Sequence, residues 1–300
     1  IVLVAVWQRI PGGVDDIIRV GSAASRFTVL DWSADPRRVY TIWSGLIGGI
    51  ALTLATHGTD QFLVQRLLSG RSPGEAARGL ILSGVLVFGQ FVLFLTIGIM
   101  LFVHNEQTHF AAGILRPDEI LPRFIGSALP HGAIGFIVAA IVAAALSPSL
   151  NAMAATTIND FYRPYMGAAT TDATLLRLSR AATLAWGVVQ VGVALAAQSM
   201  RQSVLDAGLS VLSLTTGPVL GAFVVGVLTR RVGSAAVLAG MFVGAAVVCT
   251  AWWTGALAWT WYTFVGAAVT SAVAVVLDPL VRRFRGAPGD AVERHERLIP

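Results

Sequence analysis

The sequence predicts an all-α, polytopic membrane protein. Of its 300 residues, 55% are hydrophobic and only 12% are charged, and the mean hydropathy is +0.73. A soluble domain carries roughly 25% charged residues. Apolar stretches of about 20 residues, the length that a helix needs to cross a bilayer, recur along the chain between arginine-bearing connections. These observations exclude an ordinary soluble protein.

Charge and cysteine content exclude further classes. The chain has 21 basic residues, all of them arginine, and a formal net charge of +5. The arginines stand at the ends of apolar segments and form no single patch, so we expect membrane lipid as a partner and no nucleic acid. The single cysteine, Cys249, lies in an apolar run and rules out an internal disulfide.

The first third of the chain predicts an interrupted helix. Residues 1–7 resemble the end of a helix that begins earlier in a longer protein, and residues 8–41 form a polar connection with a short interfacial helix. Residues 42–55 are apolar but too few to cross a membrane, and residues 56–61 interrupt the run before it resumes. This pattern favours a discontinuous transporter helix, whose unwound backbone offers carbonyls and amides to a solute or ion. The alternative is a helix that ends at Thr56 and leads into a surface turn.

The remaining elements follow from hydrophobic length. Membrane spans are predicted at residues 79–103, 133–158, 181–200, 207–228, 234–250 and 257–276. Residues 117–130 alternate charged and bulky apolar groups, which predicts a short amphipathic helix over the outer mouth; an interfacial loop is the alternative. Glycines four residues apart predict tight helix crossings at the pairs 45/49, 217/221 and 240/244.

Arginine placement predicts the orientation. The connections after residues 58, 159, 228 and 278 carry most of the arginines, and cytoplasmic loops are the ones enriched in positive charge. We therefore expect a multi-pass integral protein of a bacterial-type plasma membrane with a cytoplasmic C-terminus.

One predicted span has the composition of a transport pathway. Residues 133–162 read AIGFIVAAIVAAALSPSLNAMAATTINDFY, and their small side chains allow close approach by neighbouring helices. Polar groups stand inside or beside this apolar run, and each must find a partner in the protein or line a wet cavity. They are Ser147, Ser149, Asn151, Thr156 and Thr157. We therefore interpret this span as a pathway helix and assign Asn151 on it a pathway or structural role.

Three blocks resemble the sodium:solute symporter family. They are residues 133–162, HGTDQFLVQRLL at residues 57–68 and GPVLGAFVVGVL at residues 217–228, and they occur in the family's order. The resemblance covers roughly residues 30–250. It implies the C-terminal part of a LeuT-like inverted-repeat transporter core over residues 1–228, with the first core helices missing. Residues 229–300 are then two additional transmembrane helices and a cytoplasmic tail.

The resemblance implies a function as well as a fold. A member of this family is a secondary active transporter, a symporter that moves a small organic solute by alternating access, coupled to an ion. Na⁺ is the coupling ion that the family implies, and no cofactor is expected. Three alternatives stay open: proton-coupled or facilitative transport, a channel, and a membrane-embedded enzyme.

The resemblance also assigns solute-facing positions. It places Thr53, Thr56 and His57 on the interrupted helix and Ser210 on the last core helix, near the solute. Thr53, Thr56 and Asp60 follow i, i+3, i+7 spacing and share a face if the helix continues. Histidine is the side chain that exchanges a proton most readily near neutral pH, so His57 is a candidate proton site; the alternative is a histidine hydrogen-bonded at a helix end. Asp60 and Gln61 are expected to close hydrogen bonds where the helix leaves the membrane.

The ion-site positions depart from the family pattern. The positions equivalent to the sodium ligands are Ile141, Ala144, Ala145 and Ser147, and alanines stand where the family carries two hydroxyl residues. Sodium needs several oxygen ligands, so their loss leaves the site short. Ser147 lies one helical turn beyond Ala144 and is a candidate replacement. The alternative is that its hydroxyl bonds to its own helix backbone beside Pro148.

An enzyme site has little support in the sequence. His57 with Asp60, or His104 with Glu106 and His109 as metal ligands, are the best candidates. The second set lacks the H-E-x-x-H order that places two histidines one helical turn apart. We therefore expect no catalytic residues and no metal site.

Overall fold

All regular secondary structure in the part of the chain that the computed structural model describes is helical. That part comprises residues 1–60, 63–64, 67, 70, 72–114, 116–146, 148–165, 172–197, 203–229 and 232–285, with side chains at all of these except 145, 146, 148, 149 and 282–285. Among these residues, five helices are long and apolar enough to cross a membrane: Pro73–Thr108, Asp172–Ala197, Val204–Leu228, Ser234–Thr254 and Trp259–Val281. The predicted all-α class with several spans is confirmed.

The chain divides into two compact units. The first comprises Ile1–Arg26 and Val92–Val204, and the second comprises Phe27–Phe91 and Leu205–Pro300. The helices of the first unit are α1 (Val2–Trp7), α2 (Gly13–Ala23), the second half of α4 (Pro73–Thr108), α5 (Ile120–Ala128), α6 (His131–Leu146), α7 (Pro148–Thr156) and α8 (Asp172–Ala197). Those of the second unit are α3 (Gly49–Gly58), the first half of α4, α9 (Val204–Leu228), α10 (Ser234–Thr254) and α11 (Tyr262–Arg285).

The core of the first unit forms where α1, α4 and α5 meet. Val6, Val103 and Phe124 are fully buried there. The guanidinium of Arg9 donates to the carbonyls of Ala5 and Ala128, at 2.8 and 2.5 Å, and lies 5.7 Å from the centre of the Phe124 ring. The amphipathic segment at residues 117–130 is therefore a helix, α5, held against α1 by a buried aromatic ring and an arginine.

The interfacial helix predicted in residues 8–41 is α2. Asp15 and Asp16 lie in its first turn, where negative charge is favourable. Asp16 accepts hydrogen bonds from Arg19 at 2.6 Å and Gln107 at 2.8 Å, and the first of these lowers the pKa of this carboxyl. The contact with Gln107 fastens α2 to the end of α4.

The predicted pathway span is described as two helices on either side of Ser147, which lies outside the described residues. α6 ends at Leu146, α7 begins at Pro148, and a π-helical turn follows at Thr157–Tyr162. Pro148 has no N–H to donate, and its ring crowds the carbonyl four residues earlier. Trp186 of α8 donates to the hydroxyl of Thr157 at 2.9 Å, and this hydroxyl donates to the Met153 carbonyl at 2.7 Å. The π-helical turn is thereby fixed to α8.

Glycines set the close helix crossings of the second unit. A Cβ atom on Gly221 would lie 2.6 Å from the Ala267 carbonyl oxygen, and one on Gly240 would lie 2.5 Å from the Thr270 carbonyl oxygen. Gly217 and Gly244 also face α11 at close range. Two of the three predicted glycine pairs therefore mark helix crossings, because only a residue without a side chain allows such approach.

The third glycine pair was assigned wrongly. Gly45 and Gly49 face open space, and the close contact is made by Gly48, which meets the carbonyl of Thr260. The physical reason is a π-helical turn at Ser44–Gly48, directly before α3. A π-helical turn holds more residues than an α-helical one, so it rotates the helix surface relative to the i, i+4 pattern of an α-helix.

Candidate functional site

The interruption of the first core segment lies later than predicted. α3 continues through Thr56 and His57 to Gly58, so the expectation of a break at residues 56–61 is wrong for its first three residues. Thr59 closes the helix, its backbone N–H and hydroxyl both donating to the Ala55 carbonyl at 3.0 and 2.7 Å. The N–H groups of Leu63 and Val64 donate to the side chain and carbonyl of Asp60, at 3.2 and 2.9 Å.

Asp60 therefore begins a second helical turn. Leu63 and Val64 are helical, which shows a short interruption at Thr59 and Asp60 instead of a helix end at Thr56. The role expected for Asp60, closing hydrogen bonds where the helix leaves the membrane, stays a prediction. Gln61 lies outside the described residues. Because α3 ends at Gly58, Asp60 does not continue the helical face of Thr53 and Thr56.

The solute-facing candidates on α3 bond to their own helix. The Thr56 hydroxyl lies 3.0 Å from the Leu52 carbonyl and 3.0 Å from Nδ1 of His57. That nitrogen also lies 3.2 Å from the Thr53 carbonyl. Thr53 is exposed, whereas Thr56 and His57 are half-buried. This geometry matches the alternative of a histidine hydrogen-bonded near a helix end, and it holds the imidazole ring against the last turn of α3.

Ser210 is buried in the second turn of α9, where its side chain is only 6% exposed. Its hydroxyl donates to the Asp206 carbonyl at 2.6 Å. Since a hydroxyl has one proton and two lone pairs, the Ser210 oxygen retains the capacity to accept a hydrogen bond but not to donate one. A solute donor can bind Ser210 as it stands, whereas a solute acceptor such as an anion can bind it only if the hydroxyl rotates away from the Asp206 carbonyl.

Asp206 joins two segments that the sequence analysis did not connect. Its Oδ1 atom accepts hydrogen bonds from the Tyr40 hydroxyl at 2.7 Å and from the Trp259 indole at 3.0 Å. Desolvation, together with the hydrogen bond and the negative charge of Asp206, raises the pKa of Tyr40 to about 12. In the sequence, tyrosine and tryptophan at the ends of apolar segments indicate only interfacial anchors, so no pattern could have paired them with Asp206.

A cavity of about 320 Å³ lies beside the π-helical turn in the second unit. Gly45 and Gly49 form part of its wall, together with Leu52, Tyr40 and Trp259. The absence of side chains at the two glycines leaves this space open. Thr260 also lines this cavity, and its hydroxyl donates a hydrogen bond to the Val39 carbonyl at 3.3 Å.

The ion-site candidates belong to the first unit. Ile141 on α6 is 60% exposed, Ala144 is also exposed, and Asn151 is exposed in the first turn of α7. Ser147 and the side chain of Ala145 lie outside the described residues, so the role expected for Ser147 stays a prediction. The solute-facing candidates Thr53, Thr56, His57 and Ser210 belong to the second unit.

The candidate metal ligands do not come together. Among the described residues, no three histidine, cysteine, aspartate or glutamate side chains lie close enough to hold a metal ion. The His104 ring packs against Phe110 and Phe124, with ring centres 5.1 and 5.9 Å apart. His104 is therefore part of an aromatic core, and His109 follows α4 with a left-handed backbone, φ 53°.

Comparison with known proteins identifies the family. The model of the sodium:solute symporter family matches residues 15–244, which is most of the chain. The chain belongs to the sodium:solute symporter family. This confirms the family predicted from the three sequence blocks and the multi-pass membrane character. Because the family consists of transporters, it decides against the membrane-embedded enzyme.

Individual relatives match over much of this chain. The human sodium/iodide cotransporter is 29% identical over 254 residues, covering 82% of this chain and 39% of its own length. The human sodium-coupled monocarboxylate transporter 1 is 27% identical over 243 residues, covering 79% of this chain and 40% of its own length. The chain thus spans about two fifths of the length of these curated relatives.

A solved structure supports the fold. A Na⁺-coupled sialic acid symporter, in a substrate-bound outward-open state, matches with a TM-score of 0.72 and 23% sequence identity. The match covers 93% of this chain and 58% of the symporter chain. The arrangement of helices in this symporter family member is therefore shared with a sodium-coupled transporter of known structure.

Proposed function

We propose that this symporter family chain forms part of a secondary transporter that moves a small solute together with Na⁺ by alternating access. The family match over residues 15–244 carries the proposal. It is supported by the helix interruption at Thr59–Asp60 after α3. Interrupted helices are where transporters of this kind expose backbone groups to solute and ion. Residues 1–228 then belong to the inverted-repeat core, and residues 229–300 add two helices and a tail.

The proposed solute is a small anion. The relatives named above are transporters of iodide and monocarboxylates, and the matching solved structure is a symporter of sialic acid. These solutes share a negative charge at neutral pH. Moving one such charge against the membrane potential costs about 2.3 kcal/mol per 100 mV, which one accompanying Na⁺ cancels and a second one reverses. Sodium coupling therefore has a clear energetic use for this solute class.

The ion ligands need a source other than the hydroxyls absent at Ala144 and Ala145. Pro148 supplies one, because it has no N–H to donate to the carbonyl four residues earlier, that of Ala144. A carbonyl released from helix bonding is the kind of oxygen that coordinates sodium in interrupted transporter helices. We therefore assign the Ala144 carbonyl, near Ile141 and Ser147, as a sodium ligand. Coupling to a proton through His57 is the alternative.

Uptake measurements separate these cases. The protein from its complete reading frame is reconstituted into liposomes and offered labelled iodide, lactate or sialic acid, with either a Na⁺ or a choline gradient. We expect saturable uptake that requires Na⁺. Equal uptake in Na⁺ and choline would refute sodium coupling, and dependence on a pH gradient that is lost in His57→Gln would support the proton alternative. Uptake without saturation or counterflow would indicate a channel.

The pathway role proposed for Asn151 can be tested in the same assay. We expect Asn151→Leu to abolish uptake without removing the protein from the membrane, because a bulky apolar group replaces a polar one on the pathway helix. Val193→Leu, at a position of α8 that is 63% exposed, is the matched control and should transport normally. Normal uptake by Asn151→Leu would show that this residue lies off the pathway.

The orientation is also a proposal. The arginine distribution supports a cytoplasmic C-terminus in a bacterial-type plasma membrane. A reporter that is active only in the cytoplasm, fused to the C-terminus, should be active. An inactive reporter, with a periplasmic reporter active at the same point, would reverse the assignment.

A further inference from the structure

Asp206 is the meeting point of three chain segments of the second unit. It lies in the first turn of α9, half-buried, and its Oδ1 atom accepts from both Tyr40 and Trp259. Tyr40 lies two residues before the helical segment that leads into α3, and Trp259 begins the 3₁₀ turn that leads into α11. One carboxylate oxygen therefore contacts residues that stand 166 and 53 positions away along the chain.

Two of these segments are already joined to each other. The Ala258 N–H donates to the Pro36 carbonyl at 2.8 Å, and the Thr260 hydroxyl donates to the Val39 carbonyl at 3.3 Å. The loop before α3 and the turn before α11 thus bond directly to each other as well as to Asp206 of α9. The bonds to Asp206 connect this pair to the first turn of α9.

We infer that Asp206 is a positioning residue that fixes the starts of α3, α9 and α11 as one rigid element. Hydrogen bonds to a charged acceptor are roughly twice as strong as neutral ones, and two donors share this acceptor. The backbone of Asp206 also acts within α9. Its carbonyl accepts a hydrogen bond from the Ser210 hydroxyl, so the start of α9 also sets where Ser210 points. This last step rests on the proposed role of Ser210 in solute binding.

Hydrogen exchange tests the rigid element without reference to transport. In Asp206→Ala we expect the Ile42 and Ala258 amides, which bond to carbonyls in the loop before α3, to exchange about tenfold faster. Tenfold corresponds to about 1.4 kcal/mol, the size of a lost hydrogen bond to a charged group. Asp35→Asn, an exposed change in the same loop, is the control and should leave both amides unchanged. Unchanged exchange in Asp206→Ala would overturn the inference.

Smaller changes keep the test valid if Asp206→Ala does not fold. Asp206→Asn retains an oxygen that can accept from Tyr40 and Trp259 but removes the charge. Tyr40→Phe removes a single hydrogen bond and should accelerate exchange at Ile42 more than at Ala258. A uniform acceleration across the whole protein by Tyr40→Phe would contradict a local role.

The ionisation of Tyr40 gives a spectroscopic signature that a purely structural contact would not move. The raised pKa means that the phenol keeps its proton between pH 10.0, its ordinary value, and about 12. We expect the tyrosinate absorbance of Tyr40, taken as wild type minus Tyr40→Phe, to appear only near the upper value. In Asp206→Asn it should appear at a lower pH than in the wild type, because the negative charge is gone while the desolvation of the phenol, the largest cause of the raised pKa, remains. An unshifted midpoint would show that Asp206 does not act on Tyr40.

Uptake links this element to the proposed function. Asp206→Ala and Ser210→Ala should each raise the solute KM about fivefold, as expected for roughly 1 kcal/mol, with little change in the maximal rate. An unchanged KM in Asp206→Ala, alongside a raised KM in Ser210→Ala, would refute the link to Ser210. If neither variant nor the wild type transports the probes, the proposed function fails, whereas the exchange and absorbance results still decide the role of Asp206.

Discussion

Gly48 offers a sharp test of how the second unit is packed. A Cβ atom at this position would overlap the Thr260 carbonyl oxygen and lie 2.9 Å from its carbon, and backbone atoms cannot rotate away as a side chain can. Gly45 and Gly49, in the same segment, face open space. Alanine at the three positions is therefore the same chemical change in two different environments.

The expected change in the free energy of unfolding is negative for Gly48→Ala and zero or positive for Gly45→Ala and Gly49→Ala. Forcing a methyl group into a filled contact costs about 1–3 kcal/mol, whereas alanine in a helix is favoured over glycine by about 0.5–1 kcal/mol. Gly48→Ala should therefore lower the free energy of unfolding by about 0.5–2 kcal/mol, the difference between these contributions. Gly45→Ala and Gly49→Ala should leave it unchanged or raise it by up to about 1 kcal/mol.

Thermal unfolding in detergent, followed by tryptophan fluorescence, compares the three variants with the wild type. The order of stability is the test: Gly48→Ala below the wild type, and the other two at or above it. If Gly48→Ala is as stable as Gly49→Ala, the start of α3 does not pack on the turn before α11 as described. The cavity beside the π-helical turn should be smaller in Gly45→Ala and Gly49→Ala than in the wild type, because both glycines line it, and neither variant should lose stability.

Two further predictions concern α10 and α11. The Thr270 hydroxyl is buried at their crossing and no bond to it is found among the described residues, so Thr270→Val, which keeps the shape, should be neutral or stabilise by up to about 1 kcal/mol. A loss of stability of that size in thermal unfolding would reveal a partner for the hydroxyl. Asp278 accepts from the Gly233 N–H at 2.7 Å at the start of α10, so Asp278→Ala should cost about 1–2 kcal/mol while Asp278→Asn, which can still accept, costs less. Equal losses in the two variants would show that charge, and not the cap, matters there.

The sequence was informative wherever bilayer physics leaves few choices. An apolar run of about 20 residues must be a helix, because lipid offers no partner for an open backbone. Five of the six predicted spans coincide with membrane-length helices, whereas the sixth, residues 133–158, is described as the two shorter helices α6 and α7. Two of the three glycine pairs signalled close crossings, and the break after α3 lies at Thr59–Asp60, later than predicted. The three family blocks, which depend on residue order alone, identified the family.

Tertiary structure decided which face each helix turns toward its neighbours and which residues from distant parts of the chain come into contact. The π-helical turn before α3 rotates the helix surface, so that Gly48 contacts the Thr260 carbonyl whereas Gly45 and Gly49 do not. The Tyr40, Asp206 and Trp259 contact joins residues from three distant segments, and no local pattern records which helix ends meet. The sequence by itself therefore determined the helical class, the spans and the family, because these follow from local chemistry. Only the folded chain decided which faces and ends come together, because packing sets the rotation and the partners of each helix.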